Sequence, residues 1–272
     1  MVQDMYHTTE TARYADLILP AAGCGEKEGT FINSERRFGL LRRILEPPGE
    51  ALPDFDIFKR IASAWGCDRL FGSWETPEAV FQILKELSRG RPCDFTGIRD
   101  YRMIEDMGGV QWPFPEGAHA PETERRLFED GRFFHPDGKA RFIYEDEIPV
   151  PERTDSDYPF ALLTGRGTVA QWHTQTRTGK VETLKKLYPA EPYVEIHPSD
   201  AGSLGLEDGD WTVVSSRRGE VRVRAAVRDS VPPGELFMPM HYVETNVLTF
   251  PAFDPYSREP AYKMAAVNVR PA

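Results

Sequence analysis

The stretch LLTGRGTVAQWHTQTRTGK, residues 162 to 180, gathers side chains that bind ligands. From Thr164 to Lys186 the sequence holds five Lys or Arg and one acid, inside a chain whose formal net charge is -10. Gly165, directly after an apolar run, lets backbone N–H groups come close to an oxyanion. Arg166 offers a planar fork of donors for a phosphate or a heteroaromatic edge. Thr164, Thr174, Thr176 and Thr178 add hydroxyls, and Trp172 a stacking face with one donor. His173, Arg177 and Lys180 follow. This is chemistry for a ligand carrying both a pyrophosphate and a planar ring. On residue types alone, a solvated basic loop around a packed indole fits equally well.

A second cluster, CGEKEGTFINSERR (Cys24 to Arg37), follows a short apolar run ending at Pro20 and carries Lys27, Asn33, Arg36 and Arg37. It reads as an anion-facing loop or as a surface loop with its own ion pairs. The familiar catalytic sets are missing: there is no HExxH, GxSxG, GxxxxGKS/T or strand-GxGxxG-helix unit. His7, His119, His135, His173, His197 and His241 are scattered without metal-ligand spacing. No catalytic acid or base and no protein metal ligand is nominated.

These residues need a scaffold, and 272 residues with 40% hydrophobic and 28% charged side chains supply a globular one. The 23 Pro and 22 Gly favour a loop-rich, partly β architecture. A pI near 5.2 argues against nucleic acid or an anionic membrane as the main partner. No apolar run approaches the roughly 20 residues of a membrane-spanning helix. The N-terminal MVQDMYHTTETARYAD lacks a basic segment followed by an apolar one, so a cytoplasmic location is expected. Cys24, Cys67 and Cys93 form no CxxC pair and suit a reducing compartment.

Three regions are expected. Residues 1–90 read as α/β: a strand at ADLILP, a helix from Asp54 (as N-cap) to the stop at Gly66, and another from Thr76 (N-cap) and Pro77 to Gly90. Residues 91–157 read as an extended connector with a hairpin turning at Pro136-Asp137-Gly138. Residues 158–272 read as β: strands at YPFALLTG, PYVEIHP, WTVVSS, VRVRAAV, PPGELFMPMH and KMAAVNVR, and a short helix capped by Ser199. In VRVRAAV, Val221, Val223 and Ala225 alternate with outward residues, the period of a half-exposed strand. Short strands joined by tight turns predict a closed barrel, which leaves no edge.

Four segments in order, ETARYADLILPAAGCGEKEGTFINSERR, PPGEALPDFDIF, LLTGRGTVAQWHTQTRTGK and LTFPAFDPYSREPAYKMAAVNV, resemble the C-terminal part of the molybdopterin oxidoreductases. The resemblance runs from about residue 3 to residue 270. It implies a bis-molybdopterin guanine dinucleotide cofactor carrying molybdenum, and a truncated α/β domain followed by a double-psi β-barrel that binds the dinucleotide. The form QWHTQTRTGK is most similar to the assimilatory nitrate reductase catalytic subunit. Formate dehydrogenases and periplasmic nitrate reductases tend to have Met-Thr where this chain has Gln175-Thr176. By the matched motifs, cofactor contacts are implied for Gln3, Asp4, Lys27, Asp54, Thr164, Gly165, Arg166, Trp172, His173, Thr174, Met240, Asn246 and Lys263. For Asp54 the chemistry suits a guanine edge, whose ring N–H and amino group both donate.

The family's N-terminal half, with its [4Fe–4S] cluster and the protein ligand to molybdenum, has no counterpart in this sequence, and three dispersed cysteines cannot hold such a cluster. The resemblance therefore implies a fragment, a split gene product or a truncated gene model. Its expected partners are the missing half and an electron-donor protein or reductase subunit, with nitrate as substrate. Two other readings stay open. One is a fragment of another molybdopterin oxidoreductase such as formate dehydrogenase. The other is a free-standing, non-catalytic dinucleotide-binding module.

Overall fold

A computed structural model describes residues 1–119, 126–168 and 170–272, apart from the side chains of Trp172 and His173. The chain forms two compact units, Met1–Ile143 and Tyr144–Ala272. No helix among the described residues is long and apolar enough to cross a membrane.

In the first unit, β1 (Val2–Asp4) and β2 (Ile18–Pro20) form a two-stranded parallel sheet. A second sheet is antiparallel. It begins with β3 (Gly29–Ile32) and β4 (Arg37–Leu41), in register Gly29↔Leu41 to Ile32↔Phe38. Helix α1 (Asp54–Ala64) has Pro53 at its N-cap and Asp54 at the first helical position, one place later than the sequence suggests. The fixed φ of Pro53 takes the cap position, and Asp54 and Asp56 place negative charge in the first turn, where the helix dipole favours it. Helix α2 (Pro77–Ser88) starts as expected: the Thr76 hydroxyl accepts from Ala79 N at 3.1 Å, and Gly90 takes a positive φ of 69° beyond the end.

The expected connector does not begin at residue 91. Helix α3 (Tyr101–Asp106) and strand β5 (Val110–Gln111, paired with β4) belong to the core of the first unit. Phe95, Ile98, Tyr101, Ile104, Val110 and Phe114 pack with Phe38 and Phe81. The pairing is long-range, and local periodicity carries no sign of it. The expected hairpin is also absent. The turn at 136–138 forms, with Phe133 N donating to Gly138 O at 2.8 Å, but no strands flank it. Phe142 is 100% exposed and Tyr144 87%, so no sheet buries one face of the run, and an isolated hairpin is marginal in water. Residues 120–125 of the expected connector lie outside the described residues.

The second unit is a closed six-stranded barrel. Its strands are β6 (Phe160–Gly165), β7 (Tyr193–Ile196), β8 (Trp211–Ser216), β9 (Gly219–Val227), β10 (Glu235–Pro239) and β11 (Met264–Pro271), in spatial order β10-β6-β11-β8-β9-β7. The pairs β10/β6 and β7/β9 are parallel and the other four antiparallel. This is the double-psi arrangement expected from the sequence. Val221, Val223 and Ala225 point into the core with Leu162, Val214, Leu236 and Met238. Three short helices decorate the barrel: α4 (Glu182–Lys185), α5 (Pro198–Leu204) and α6 (Thr245–Leu248). In α5 the cap is His197, whose side chain accepts from Ser199 N; Ser199 lies inside the helix, because Pro198 takes the first helical position.

Candidate functional site

Parallel strands end together. β10 and β6 run side by side with Met238 opposite Thr164 and Pro239 opposite Gly165, so the loops that follow them leave from one end of the barrel. β11 runs antiparallel to β6 with Met264 opposite Leu163, which brings Lys263 to the same end. The knot is tied by three hydrogen bonds. Met240 N donates to Gly165 O at 2.8 Å, Thr164 N to Lys263 O at 3.0 Å, and the Thr164 hydroxyl to Tyr262 O at 2.6 Å. The Thr164 hydroxyl is thus engaged with backbone and fixes the strand ends. Lys263 Nζ lies 3.9 Å from Met240 Sδ. Arg166 is exposed and has no ion pair among the described residues.

Asn246 sits exposed on α6, which is held against the β8–β9 turn. Arg218 of that turn donates to Leu248 O from Nε at 3.2 Å and from a terminal nitrogen at 2.6 Å. The antiparallel β8/β11 register, Ser215 opposite Asn268, puts that turn toward the beginning of β11. Of the sequence-nominated residues in this unit, Thr164, Gly165, Arg166, Met240 and Lys263 therefore converge, with Asn246 on the same end. Thr174 lies exposed in a 3-10 turn, Trp172–Gln175; the side chains of Trp172 and His173 fall outside the described residues.

Close packing seats the loop after β6. A Cβ on Gly167 would lie 2.6 Å from Pro239 Cγ and 3.1 Å from Tyr193 Oη, so the backbone approaches the β10 end as only glycine can. Gly167 N donates to Gln171 Oε1 at 3.0 Å, and Gln171 is 2% exposed. Gly167→Ala is expected to cost about 1–3 kcal/mol through overpacking. Thermal unfolding of the chain checks this; a melting temperature equal to wild type would show that the loop does not need this approach.

Within that packed loop, polar atoms are left over. Gln171 Nε2, Gln175 Nε2, one terminal nitrogen of Arg177 and Thr178 Oγ1 are buried without a hydrogen-bond partner among the described residues. Native interiors leave few such atoms unpaired, and each calls for a reason. Gln171 was not nominated from sequence; nothing in its local pattern distinguishes it from a loop glutamine.

In the first unit, three of four nominated residues meet. Asp54 Oδ1 accepts from Gln3 Nε2 at 2.6 Å, and Oδ2 pairs with Lys27 Nζ. Burial alone would raise the Asp54 pKa, but hydrogen bonds from Lys27 and Gln3 outweigh it and hold the carboxyl below its ordinary value. Each oxygen keeps a lone pair for a further donor. Asp4 points elsewhere, because successive strand residues alternate in direction; its carboxylate accepts from Tyr6 N at 3.0 Å. A cavity of about 300 Å³ lies beside Lys27, lined also by Arg43, Phe55 and Thr76. The larger cavity of the second unit, about 610 Å³ between Glu191, Tyr193, Asp208, Arg224 and Arg228, is lined by charges already paired with one another (Arg224–Glu191 and Arg228–Asp208).

Comparison with known proteins bears on the family and the fold. Residues 160–266 match the model of the "Molydopterin dinucleotide binding domain", and residues 1–64 that of "Molybdopterin oxidoreductase". A nitrate reductase of Synechocystis sp. is 38% identical over 278 residues, covering 99% of this chain and 38% of that protein. An F420-dependent formate dehydrogenase subunit alpha of Methanocaldococcus jannaschii is 38% identical over 271 residues, again 99% of this chain and 38% of that protein. Among solved structures, the acetylene hydratase of Pelobacter acetylenicus superposes with a TM-score of 0.62 at 18% identity, covering 100% of this chain and 40% of that one, which supports the fold. The chain spans about 38% of the length of the curated relatives it matches. With residues 1–64 and 160–266 matched in order, relatives at 38% identity aligned over 99% of this chain, and the barrel closed, the chain belongs to the molybdopterin oxidoreductase family.

Proposed function

We propose that this chain supplies part of the protein surround of a bis-molybdopterin guanine dinucleotide in a molybdenum nitrate reductase that reduces nitrate to nitrite for assimilation. The observation that carries this reading is the set of buried, unpartnered polar atoms in the loop after β6, at the barrel end where Gly165, Arg166, Met240 and Lys263 converge. The residues fit such a group. The unpartnered atoms of Gln171, Gln175 and Arg177 are all donors, and phosphate and pterin oxygens accept. Arg166 and Lys263 add exposed positive charge. In the first unit, Gln3 and Lys27 fix the Asp54 carboxylate, which is left ionised to accept from a guanine edge.

When bound, the cofactor supplies two-electron chemistry at molybdenum that removes one oxygen atom from nitrate. This chain's residues bind and orient it. The Thr164–Tyr262 and Met240–Gly165 hydrogen bonds hold the strand ends rigid, and Arg166 and Lys263 neutralise phosphate charge. The remaining polypeptide would hold the [4Fe–4S] cluster, and a donor protein would supply the electrons. A cytoplasmic setting fits the three free cysteines.

Formate oxidation is the second reading, supported by the equal identity of the methanogen formate dehydrogenase. An assay decides between them. The chain is assembled with the remaining polypeptide and supplied with a reduced viologen and nitrate, or with an oxidised one and formate. Nitrite formation supports the first reading; formate-dependent dye reduction alone replaces it with the second. In the nitrate enzyme, Arg177→Ala is expected to raise KM for nitrate several-fold and flatten its salt dependence, since local positive charge concentrates the anion. Unchanged KM and salt dependence would remove Arg177 from substrate capture.

A further inference from the structure

His241 lies two residues beyond β10, and its ring is held on two sides. It lies against Tyr242, tilted by 37° with ring centroids 4.1 Å apart, and meets Tyr188 edge-on at 5.3 Å. Tyr242 is itself anchored, its hydroxyl donating to Pro189 O at 2.6 Å. Both His241 ring nitrogens are buried with no hydrogen-bond partner among the described residues. Burial pushes its pKa below the ordinary value, so the ring is neutral at neutral pH and offers one donor and one acceptor. A phenylalanine would fill the same slot without unsatisfied nitrogens. Packing alone gives no reason for histidine here.

The neighbouring turn shows the same condition. A Cβ on Gly179 would lie 3.4 Å from Gln175 Cβ and 3.9 Å from Tyr188 Oη, so Tyr188 borders the Gln175 turn as well as His241. Gln175, Arg177 and Thr178 each carry a buried, unpartnered donor. The backbone there is strained: Thr174 and Gln175 hold positive φ of 51° and 65°, a region that non-glycine residues adopt at a cost. Strain and unpaired donors in one turn, beside an imidazole with idle nitrogens, are what an acceptor-rich ligand would relieve.

We infer that His241 is a ligand-binding residue, its ring set by Tyr188 and Tyr242 to hydrogen-bond an oxygen of an anionic ligand held by the loop after β6. This rests on the cofactor reading above and adds a residue to it. The oxygen belongs either to the dinucleotide or to the substrate oxyanion, and the two are separable.

The test uses the enzyme assembled from this chain and the remaining polypeptide, as wild type, His241→Phe and His241→Gln. Guanine nucleotide released by acid and molybdenum are measured per chain after gel filtration, with KM for nitrate alongside. His241→Phe is expected to lower retained guanine roughly 10-fold or more, the range expected for one lost hydrogen bond in a desolvated site, with partial rescue in His241→Gln. The isolated chain carrying His241→Phe is expected to melt no lower than wild type. Full retention with KM for nitrate raised at least roughly 10-fold and kcat held would place the oxygen on the substrate. Unchanged retention and KM overturn the inference, as does equal guanine loss in both variants accompanied by a lower melting temperature in both. A wild type that carries neither guanine nor molybdenum overturns the cofactor reading and His241 with it. Wild-type loading matched by His241→Phe, with KM unchanged, overturns the His241 assignment alone.

Discussion

Glu152→Ala is expected to destabilise the barrel unit by about 3–5 kcal/mol, the usual cost of stranding a buried charge, and to lower its melting temperature by roughly 10–20 °C. Glu152 is 6% exposed and accepts four hydrogen bonds. Oε1 takes one from Arg217 at 2.9 Å and one from Arg218 at 2.7 Å; Oε2 takes one from Arg218 at 2.9 Å and one from Ala266 N at 2.9 Å. It therefore joins the segment before β6 to the β8–β9 turn and to β11. Arg218 passes the connection on to Leu248 O at the end of α6, the helix that carries Asn246. Removing the carboxylate leaves Arg218, only 20% exposed at its side chain, without its counter-charge. An ordinary surface pair contributes about 0–1 kcal/mol, so a loss that small would show the network is solvated and weak.

The same group sets a pH dependence. Burial by itself would raise the Glu152 pKa, but the hydrogen bonds from Arg218, Ala266 N–H and Arg217 outweigh it and hold the carboxyl below its ordinary value. The unfolded chain binds that proton near pH ~4.3 and the folded chain only at lower pH. Stability from Glu152 is therefore complete above that range and is lost as pH falls through the folded value. The gap in melting temperature between wild type and Glu152→Gln is expected to be wide at neutral pH and to close in acid.

Local signals made much of the barrel legible. Val221, Val223 and Ala225 alternate in the sequence and point inward in the fold. The Thr76–Pro77 start of α2 is written in two adjacent residues. What escaped was non-local. Residues 95–114 look like a connector because Val110–Gln111 is a two-residue strand whose partner, β4, lies about seventy residues earlier. Glu152 and Arg218 are 66 positions apart, and neither is marked by its neighbours. Of the residues nominated through resemblance, Gly165, Arg166 and Lys263 lie at one barrel end, and Gln3, Lys27 and Asp54 are joined by hydrogen bonds. Asp4 and Thr164 carry their side chains onto backbone groups, which strand alternation and loop geometry decide and residue type does not. His241 read as one of six scattered histidines, because its tyrosine neighbours include Tyr188, 53 residues away.

The largest functional effect is expected from combining Arg166→Ala, Asp54→Ala and Lys263→Ala. Each removes a charge proposed to face the cofactor, Asp54 in the first unit and Arg166 and Lys263 in the second, and none lies in a hydrophobic core. Asp54→Ala releases Gln3 and Lys27 from the carboxylate that accepts from both. Lys263→Ala and Arg166→Ala remove two exposed cations from one barrel end. Charge-assisted hydrogen bonds to phosphate or a guanine edge contribute about 1.5–3 kcal/mol apiece, so the combined loss corresponds to roughly a thousand-fold or more in cofactor affinity while the fold survives.

Molybdenum and guanine content per chain, measured after co-expression with the remaining polypeptide and gel filtration, tests the central claim most directly. Wild type is expected to carry both, in the ratio required by one molybdenum held by two guanine dinucleotides. The triple variant is expected to be folded by circular dichroism and nearly devoid of both. Wild-type content in the folded triple variant would contradict the site assigned here.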